Sequence, residues 1–235
     1  MFQTTEGILI KKTKLSGNRF ILKTYTKDFG IKSFIVRKTK KEKNVFQPMS
    51  ILSISSYENP KNSIQNSKES FVSVPLLNIY NDIYKSNIIL FINEILNNIL
   101  KEEEKNEPLF NFIKNSLIHF EEEDLNINFH LIFLTQLTQF LGIEPFPEGE
   151  ELPKGFYDLE EGHLVSLKPF HPNYLSISET KNFIDLYYYS FNITKEYSIL
   201  NSERKELLNT LIKYYQYHTD MKNLKSLAVL EVVFG

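Results

Sequence analysis

The chain has 235 residues, of which 42% are hydrophobic, so it can form one large domain or two modest ones with a real core. It contains no cysteine, which excludes disulfides and thiolate metal sites and favours a reducing compartment. The net charge of −2 hides an asymmetry, because residues 1–70 carry 14 basic and 5 acidic side chains and residues 71–235 carry 13 and 24. This asymmetry favours a nucleic-acid-binding module joined to a second module, and a basic solvated surface without a partner is the alternative.

The sequence shows no targeting signal and no membrane-spanning segment. No N-terminal stretch combines a charged start, an apolar centre and a small-residue cleavage site. The longest apolar-rich run, residues 87–100, is interrupted by polar side chains and is too short to cross a bilayer. We therefore expect a soluble, cytoplasmic protein with no membrane partner.

The first 75 residues have the pattern of short strands separated by turns. Strands are predicted at residues 4–12, 19–26, 31–36 and 49–57, with a weaker fifth at 63–70. Turn-forming residues separate them at 16–18, 27–30 and 59–60. Five short strands in about 70 residues predict an OB-type barrel, although the pattern alone does not distinguish it from other small barrels.

From residue 76 onward, apolar side chains recur at steps of three and four, which predicts helices. These are expected near residues 88–99, 108–120, 125–141, 176–189, 202–218 and 224–234. The helix at 125–141 is apolar on more than one face, so we expect it at the centre of a helical domain. Between them, residues 144–175 contain five prolines and three glycines, which predict loops and a short hairpin.

The predicted fold class is therefore α+β. An N-terminal five-stranded OB-type β-barrel, residues 1–75, is followed by a mainly α-helical domain, residues 76–235. The helical domain carries a loop-rich, metal-free insertion at residues 144–175.

Motifs of common enzymes are absent from the sequence. It has no glycine-rich phosphate loop, no GxSxG and no HExxH, so we expect no cofactor and no catalytic residue. We expect His130 to be a hydrogen-bonded core residue. His163 and His171 share the insertion with many acids, so an enzyme that uses one of them as a base is one open alternative. A metal site there is not expected, because the chain offers no thiolate and the spacing fits no standard site.

The stretch FIVRKTKKEKNVFQP, residues 34–48, places a run of positive charge after the third predicted strand. Lysine binds phosphate as a flexible point charge, which gives affinity with little sequence information. The predicted nucleic-acid-binding residues are Lys14, Arg19, Lys23, Lys32, Arg37, Lys38, Lys40, Lys41 and Lys43. Tyr25 and Phe29, which lie near turns, are the candidates for base stacking. The alternative role of the loop is to keep an edge strand soluble.

Four segments, in order, carry a resemblance to a known family. The first is TEGILIKKTKLSGNRFILKTYTKDFGIKSFIVRKTKK, which has a Thr-Glu-Gly-hydrophobic strand, a threonine-bearing turn, a Gly-x-hydrophobic step and a basic loop. It is followed by FQPMSILSI, IYKSNIILFINEIL and LIKYYQYHTDMKNLKSLAVLEVVF. Over nearly the whole chain, these segments resemble the RecO family of bacterial recombination mediators.

Two features depart from the pattern of that family. Its basic loop often contains Gly-Ala-Arg, whereas residues 37–40 are Arg-Lys-Thr-Lys. Many members carry four cysteines as a zinc site between helices, and the cysteine-free residues 144–175 stand in that place. We expect a metal-free version in which packing replaces the ion, through Phe156, Tyr157, Leu164, Val165 and Phe170.

The resemblance implies a DNA-binding mediator without enzymatic activity that acts in recombinational repair of DNA damage, in the RecF-type pathway. It implies binding of single- and double-stranded DNA, annealing of complementary strands, and a nucleoid-associated location in the cytoplasm. The implied partners are RecR and the C-terminal tail of single-strand-binding protein, so that RecA is loaded on coated single strands. An RNA-binding OB-fold protein is the alternative that the residues leave open.

Overall fold

The N-terminal part of the chain forms a closed barrel of five strands. The computed structural model describes residues 2–37, 46–57, 62–101, 104–146, 155–191 and 199–234. Its first strands are β1 (Phe2–Lys14), β2 (Arg19–Thr26), β3 (Gly30–Arg37), β4 (Ile51–Tyr57) and β5 (Ile64–Val74). They close in the order β1-β2-β3-β5-β4, with β3 and β5 parallel and the other pairs antiparallel. The predicted OB-type barrel is confirmed.

The barrel closes around alternate apolar side chains of its strands. Its interior is a cluster of nearly inaccessible residues: Leu9, Leu22, Phe34, Val36, Leu52 and Ile54. Because side chains alternate across a strand, the residues between these point outward. Alternation places Arg19 and Lys23 of β2 and Arg37 of β3 on the outer surface of the barrel.

A helical region follows the barrel, as the predicted fold class requires. The helices are α1 (Leu77–Asn81), α2 (Ile83–Ile99), α3 (Glu107–Glu122), α4 (Phe129–Leu141), α5 (Ile177–Phe191), α6 (Asn201–His218) and α7 (Ser226–Phe234). Between α4 and α5 lies a small antiparallel sheet of β6 (Phe156–Asp158), β7 (His163–Val165) and β8 (Tyr174–Leu175), in the order β7-β6-β8. Among the helices described, none has the length and apolar character that crossing a membrane requires.

The start of α4 and the presence of α1 differ from what the sequence predicted. Helix α4 begins at Phe129 and not at residue 125. The reason is local, because the side chain of Asn126 accepts a hydrogen bond from the backbone N–H of Asn128 at 2.9 Å and holds a turn there. Helix α1 was not predicted, since its five residues are too few to show a helical period.

The chain divides into two compact units. The first comprises Met1–Leu125 with Leu224–Leu230, and the second comprises Asn126–Asn223 with Glu231–Gly235. The first unit therefore holds the barrel together with α1, α2 and α3. Within it, the Nζ atom of Lys114 on α3 lies 2.8 Å from the carboxylate of Glu6 on β1. The domain boundary between residues 75 and 76 stays a prediction.

The second unit is built around α4. Nine of the thirteen residues of this helix are buried, and Leu131, Leu134 and Leu137 are fully inaccessible. The hydroxyl of Tyr215 on α6 donates to the carbonyl oxygen of Leu134 at 2.7 Å. His130 lies in this core with 1% of its surface exposed, as the sequence led us to expect.

Candidate nucleic-acid interface

The two predicted arginines lie side by side at one end of the barrel. Arg19 begins β2, Arg37 ends β3, and the antiparallel register pairs them directly. Both are exposed, and the Nη2 atom of Arg19 donates to the hydroxyl of Ser16 at 2.7 Å in the preceding turn. Like charges directly opposite each other destabilise a sheet. Two guanidinium groups in this position suit an anion, because each offers a planar fork of donors to a phosphate.

A groove of about 320 Å³ opens beside the two arginines. Residues of β2, β3 and β5 line it: Arg19, Ile35, Val36, Arg37, Asn66, Ser67, Lys68, Glu69 and Ser70. Ile35 pairs with Asn66 in the parallel register, which places β5 beside β3 at the groove. The lining thus carries three cationic side chains and one carboxylate, so the groove favours an anionic ligand.

Lys68 was not singled out from the sequence, and a β-bulge explains its position. Ser55 pairs with Glu69 and Ser56 pairs with Ser67, so Lys68 is the extra residue between them on β5. A bulge locally changes the direction of a side chain. The Nζ atom of Lys68 lies 5.3 Å from the centre of the Phe2 ring, beside the groove. Strand alternation alone does not predict such an irregularity.

The other predicted cations are distributed along the barrel. Lys14 is exposed at the end of β1, opposite Phe20, and so lies at the same end as Arg19. Lys23 is half-buried and its Nζ atom donates to the side chain of Asn97 on α2 at 3.2 Å. Burial, with a smaller effect of the charges of Lys11 and Lys101, lowers the pKa of Lys23. Lys23 is therefore engaged with the protein rather than presented to the groove.

Lys32 lies away from the groove. It is five residues before Arg37 on β3, which is a distance of about 16 Å along a strand. Its Nζ atom is 4.3 Å from the centre of the Phe29 ring, beside the β2–β3 turn. The remaining predicted residues, Lys38, Lys40, Lys41 and Lys43, lie outside the described residues.

The two predicted stacking residues differ in accessibility. Tyr25 is only 3% exposed, its ring centre is 6.3 Å from that of Phe110, and its hydroxyl donates to the carbonyl oxygen of Asn106 at 3.4 Å. Helix α3 and the residues next to it cover the ring of Tyr25, so Tyr25 is no longer a candidate for base stacking. Phe29 is half-buried beside Lys32, and its stacking role stays a prediction.

The two histidines of the insertion take part in local structure. The Nδ1 atom of His171 accepts the backbone N–H of Asn173 at 3.2 Å, so its Nε2–H donates to Asp158, 2.9 Å away. Burial would raise the pKa of Asp158, but hydrogen bonds from backbone N–H groups and from His171 outweigh it and lower the pKa. His163 is exposed on β7. The hydrogen bonds of His171 close the turn of this small sheet.

Where the structure describes the insertion, at residues 144–146 and 155–175, its side chains do not fit a zinc ion. Within the described ranges, no three His, Asp or Glu side chains converge as metal ligands, and the chain has no cysteine. Aromatic packing occupies this region: Tyr157 is fully buried, with ring centres of Phe146 and Phe183 at 5.2 and 5.5 Å. The expectation that Phe170 packs in this region is wrong, because Phe170 is completely exposed. The absence of a metal stays a prediction.

Comparisons with known proteins identify the family of the chain. The family model described as "Recombination protein O N terminal" matches residues 1–73, and "Recombination protein O C terminal" matches residues 80–146. The DNA repair protein RecO of Flavobacterium psychrophilum is 36% identical over 239 residues, with 98% of each chain covered. The proteins of the same name from Flavobacterium johnsoniae and Phocaeicola vulgatus are 36% and 31% identical, covering 98% and 100% of each chain. The chain belongs to the RecO family of DNA repair proteins.

Proposed function

We propose that this protein is a non-enzymatic mediator of recombinational repair. It binds single- and double-stranded DNA, anneals complementary strands, and helps to load RecA on single strands coated with single-strand-binding protein. RecR and the C-terminal tail of single-strand-binding protein are its partners in this proposal. Membership of a DNA repair family supports the association with DNA. The observation that carries the proposal is the row of three cations, Arg19, Arg37 and Lys68, on neighbouring strands of the barrel.

The arrangement of this row suits a phosphate backbone better than a base edge. Neighbouring strands are about 4.8 Å apart, so the three side chains span about 10 Å across the barrel. Contacts of this kind hold a strand in place without distinguishing its sequence. A protein that anneals any pair of complementary strands needs binding of this type, because specificity then comes from base pairing.

The segment that follows Arg37 adds further positive charge to the proposed interface. Residues 38–45 contain four lysines and one glutamate in the sequence and connect Arg37 with Phe46. The Nζ atom of Lys12 on β1 donates to the carbonyl oxygen of Phe46 at 3.4 Å, which ties the end of the segment to the barrel. Arg37, directly before the segment, lines the groove, and Phe46, directly after it, is bonded to the same barrel.

A triple substitution tests the DNA-binding step. In Arg19→Ala/Arg37→Ala/Lys68→Ala, we expect weaker binding of a single-stranded oligonucleotide of any sequence. The slope of log affinity against log salt should become shallower by about 2, since each single-strand phosphate contact contributes about 0.7. Lys181→Ala/Lys213→Ala/Lys222→Ala, which removes three exposed lysines of the second unit, is the matched control. The triple substitution Arg19→Ala/Arg37→Ala/Lys68→Ala is called the groove variant. Wild-type affinity and salt slope in the groove variant would contradict the proposal.

A second experiment tests the mediator step. Complementary strands coated with the cognate single-strand-binding protein should anneal when the wild-type protein is added, and annealing should decrease in the groove variant together with its DNA affinity. A matched RNA oligonucleotide serves as the comparison. Tighter binding of RNA than of DNA, without annealing, would support the RNA-binding alternative instead.

A further inference from the structure

Two exposed aromatic side chains form a pair on the surface of the barrel. Phe2 on β1 and Tyr57 on β4 are direct partners in the antiparallel register. Their ring centres are 5.1 Å apart and their planes are inclined by 57°. Phe2 is 47% exposed and Tyr57 is 59% exposed, so both rings present apolar surface to solvent.

This pair does not belong to the core of the barrel. The interior is filled by the cluster around Leu9, Leu22 and Phe34, and neither Phe2 nor Tyr57 packs against it. A large aromatic side chain gains stability by burying 150–250 Å², and about half of this gain is lost at the observed exposure. Two adjacent rings left in this state provide a surface for a flat, apolar ligand.

The aromatic pair adjoins the cationic groove through one residue. The Nζ atom of Lys68 lies 5.3 Å from the centre of the Phe2 ring, and Lys68 lines the groove together with Arg19 and Arg37. Aromatic rings next to a row of cations are the combination that binds single strands, with bases on the rings and phosphates on the cations. A protein partner rich in lysine or arginine would be repelled by the same row, so charge complementarity favours a polyanion.

We propose that Phe2 and Tyr57 form a base-stacking platform for single-stranded DNA next to the cationic groove. The proposal rests on the proposed DNA binding by that groove and adds a preference for single strands. Bases of a duplex are stacked on each other and cannot reach the rings, whereas the unpaired bases of a single strand can. The platform therefore contributes to single-strand affinity and leaves duplex affinity to the cations.

Direct stacking can be followed with a fluorescent reporter. The chain contains no tryptophan, so Tyr57→Trp introduces a single indole at the platform. A thymidine oligonucleotide should quench its fluorescence, and an oligonucleotide of equal length without bases should not, although both carry the same phosphates. Equal quenching by both oligonucleotides, or by neither, would contradict stacking at this position.

The energetic contribution is tested with Phe2→Leu/Tyr57→Leu. We expect its single-strand affinity to fall at least about fivefold, the lower bound for losing one stacked base. The salt slope and the duplex affinity should stay at their wild-type values, because no cation is removed. Tyr57→Phe, which keeps the ring, should retain single-strand affinity. Phe71→Leu is the matched control, since Phe71 is 46% exposed and pairs with Ser53, four residues before Tyr57 on β4.

The outcomes separate the platform from the function on which it rests. Thermal unfolding at the wild-type midpoint shows that the double variant is folded. If the wild-type protein binds DNA and the folded double variant retains single-strand affinity, the stacking proposal is wrong and the proposed DNA binding is kept. If the wild-type protein binds no DNA, the proposed function itself fails and the platform fails with it.

Discussion

His130 illustrates how burial sets the charge state of a single side chain. Its side chain is 1% exposed within α4, in the second unit. Burial, with a smaller contribution from the positive charge of Arg204, lowers its pKa from 6.5 to about 3. Arg204 is fixed nearby, because its Nε atom donates to the side chain of Asn128 at 2.8 Å. The folded protein therefore keeps a neutral histidine where the unfolded chain becomes protonated.

This difference predicts a loss of stability in acid. Between pH 6.5 and about 3, the unfolded state binds one proton more than the folded state at His130, so the stability falls as the pH decreases. The cost is about 1.4 kcal/mol per pH unit, or about 2 kcal/mol at pH 5 relative to neutral pH. The variant His130→Gln lacks this titrating group and therefore this pH-dependent loss. As the solution is acidified, the free energy of unfolding of the variant should approach or exceed that of the wild type. Urea unfolding of both proteins at pH 7.5 and pH 5.0 measures the difference, and an equal pH dependence would contradict it.

The residues of the candidate interface differ in how far the sequence could indicate them. Arg19 and Arg37 were predicted because their charge is visible at the ends of two alternating segments. Lys68, Phe2 and Tyr57 were missed, because they come together through strand register and a bulge on β5. Tyr25 was favoured as a stacking residue because it lies near a turn, but α3 covers it, and helix packing is not visible in strand alternation.

At the level of elements, long periodic segments were predicted best. Strand β2 occupies the predicted residues 19–26, and helix α6 begins one residue before its predicted start. The apolar period persists over at least two turns in the helix and four alternations in the strand. A period this long is compatible with only one type of secondary structure. The boundaries of α1 and α4 depend on a few local hydrogen bonds, and these outweigh the period near the ends of helices.

Helix α4 provides a test of the core at this scale. Leu134 is fully buried at its centre, so Leu134→Ala should leave a cavity and cost about 2–5 kcal/mol in the free energy of unfolding. Chemical denaturation of the purified variant measures this loss. Leu167→Ala is the control, because Leu167 is 83% exposed and its truncation should change stability by no more than about 0.5 kcal/mol. An unchanged denaturation midpoint for Leu134→Ala would rule out α4 as the central packing element.

At the level of the whole molecule, we expect aromatic packing to replace the four-cysteine metal site that the family resemblance implies for many members. The ring of Phe146 lies 5.2 Å from each of the Tyr157 and Phe183 rings, which packs the insertion against α5. We therefore expect the purified protein to contain no stoichiometric zinc. Treatment with a chelator should leave its melting temperature unchanged, since no ligand binding is linked to folding. Elemental analysis that finds about one zinc per chain would contradict this and direct attention to His163 and His171.

The asymmetric charge of the chain predicts a further contribution from the segment after β3. Arg37, Lys38, Lys40 and Lys41 follow one another closely, and only Arg37 lies among the described residues, at the edge of the groove. The first 70 residues contain 14 basic and 5 acidic side chains, which is an excess of positive charge. We therefore expect a DNA strand held in the groove to contact these four residues as well.

Replacement of these four residues by alanine tests whether the segment takes part in binding. If about three of them contact single-stranded phosphates, the slope of log affinity against log salt should flatten by about 2. Binding should weaken to a similar degree for unrelated sequences, because phosphate contacts carry no base information. The melting temperature should change little, since exposed charges contribute at most about 1 kcal/mol to stability. Annealing should decrease with the affinity. A variant with wild-type affinity and slope would leave the segment only the role of keeping the neighbouring strand soluble, because lysines at a strand edge also prevent its pairing with other chains.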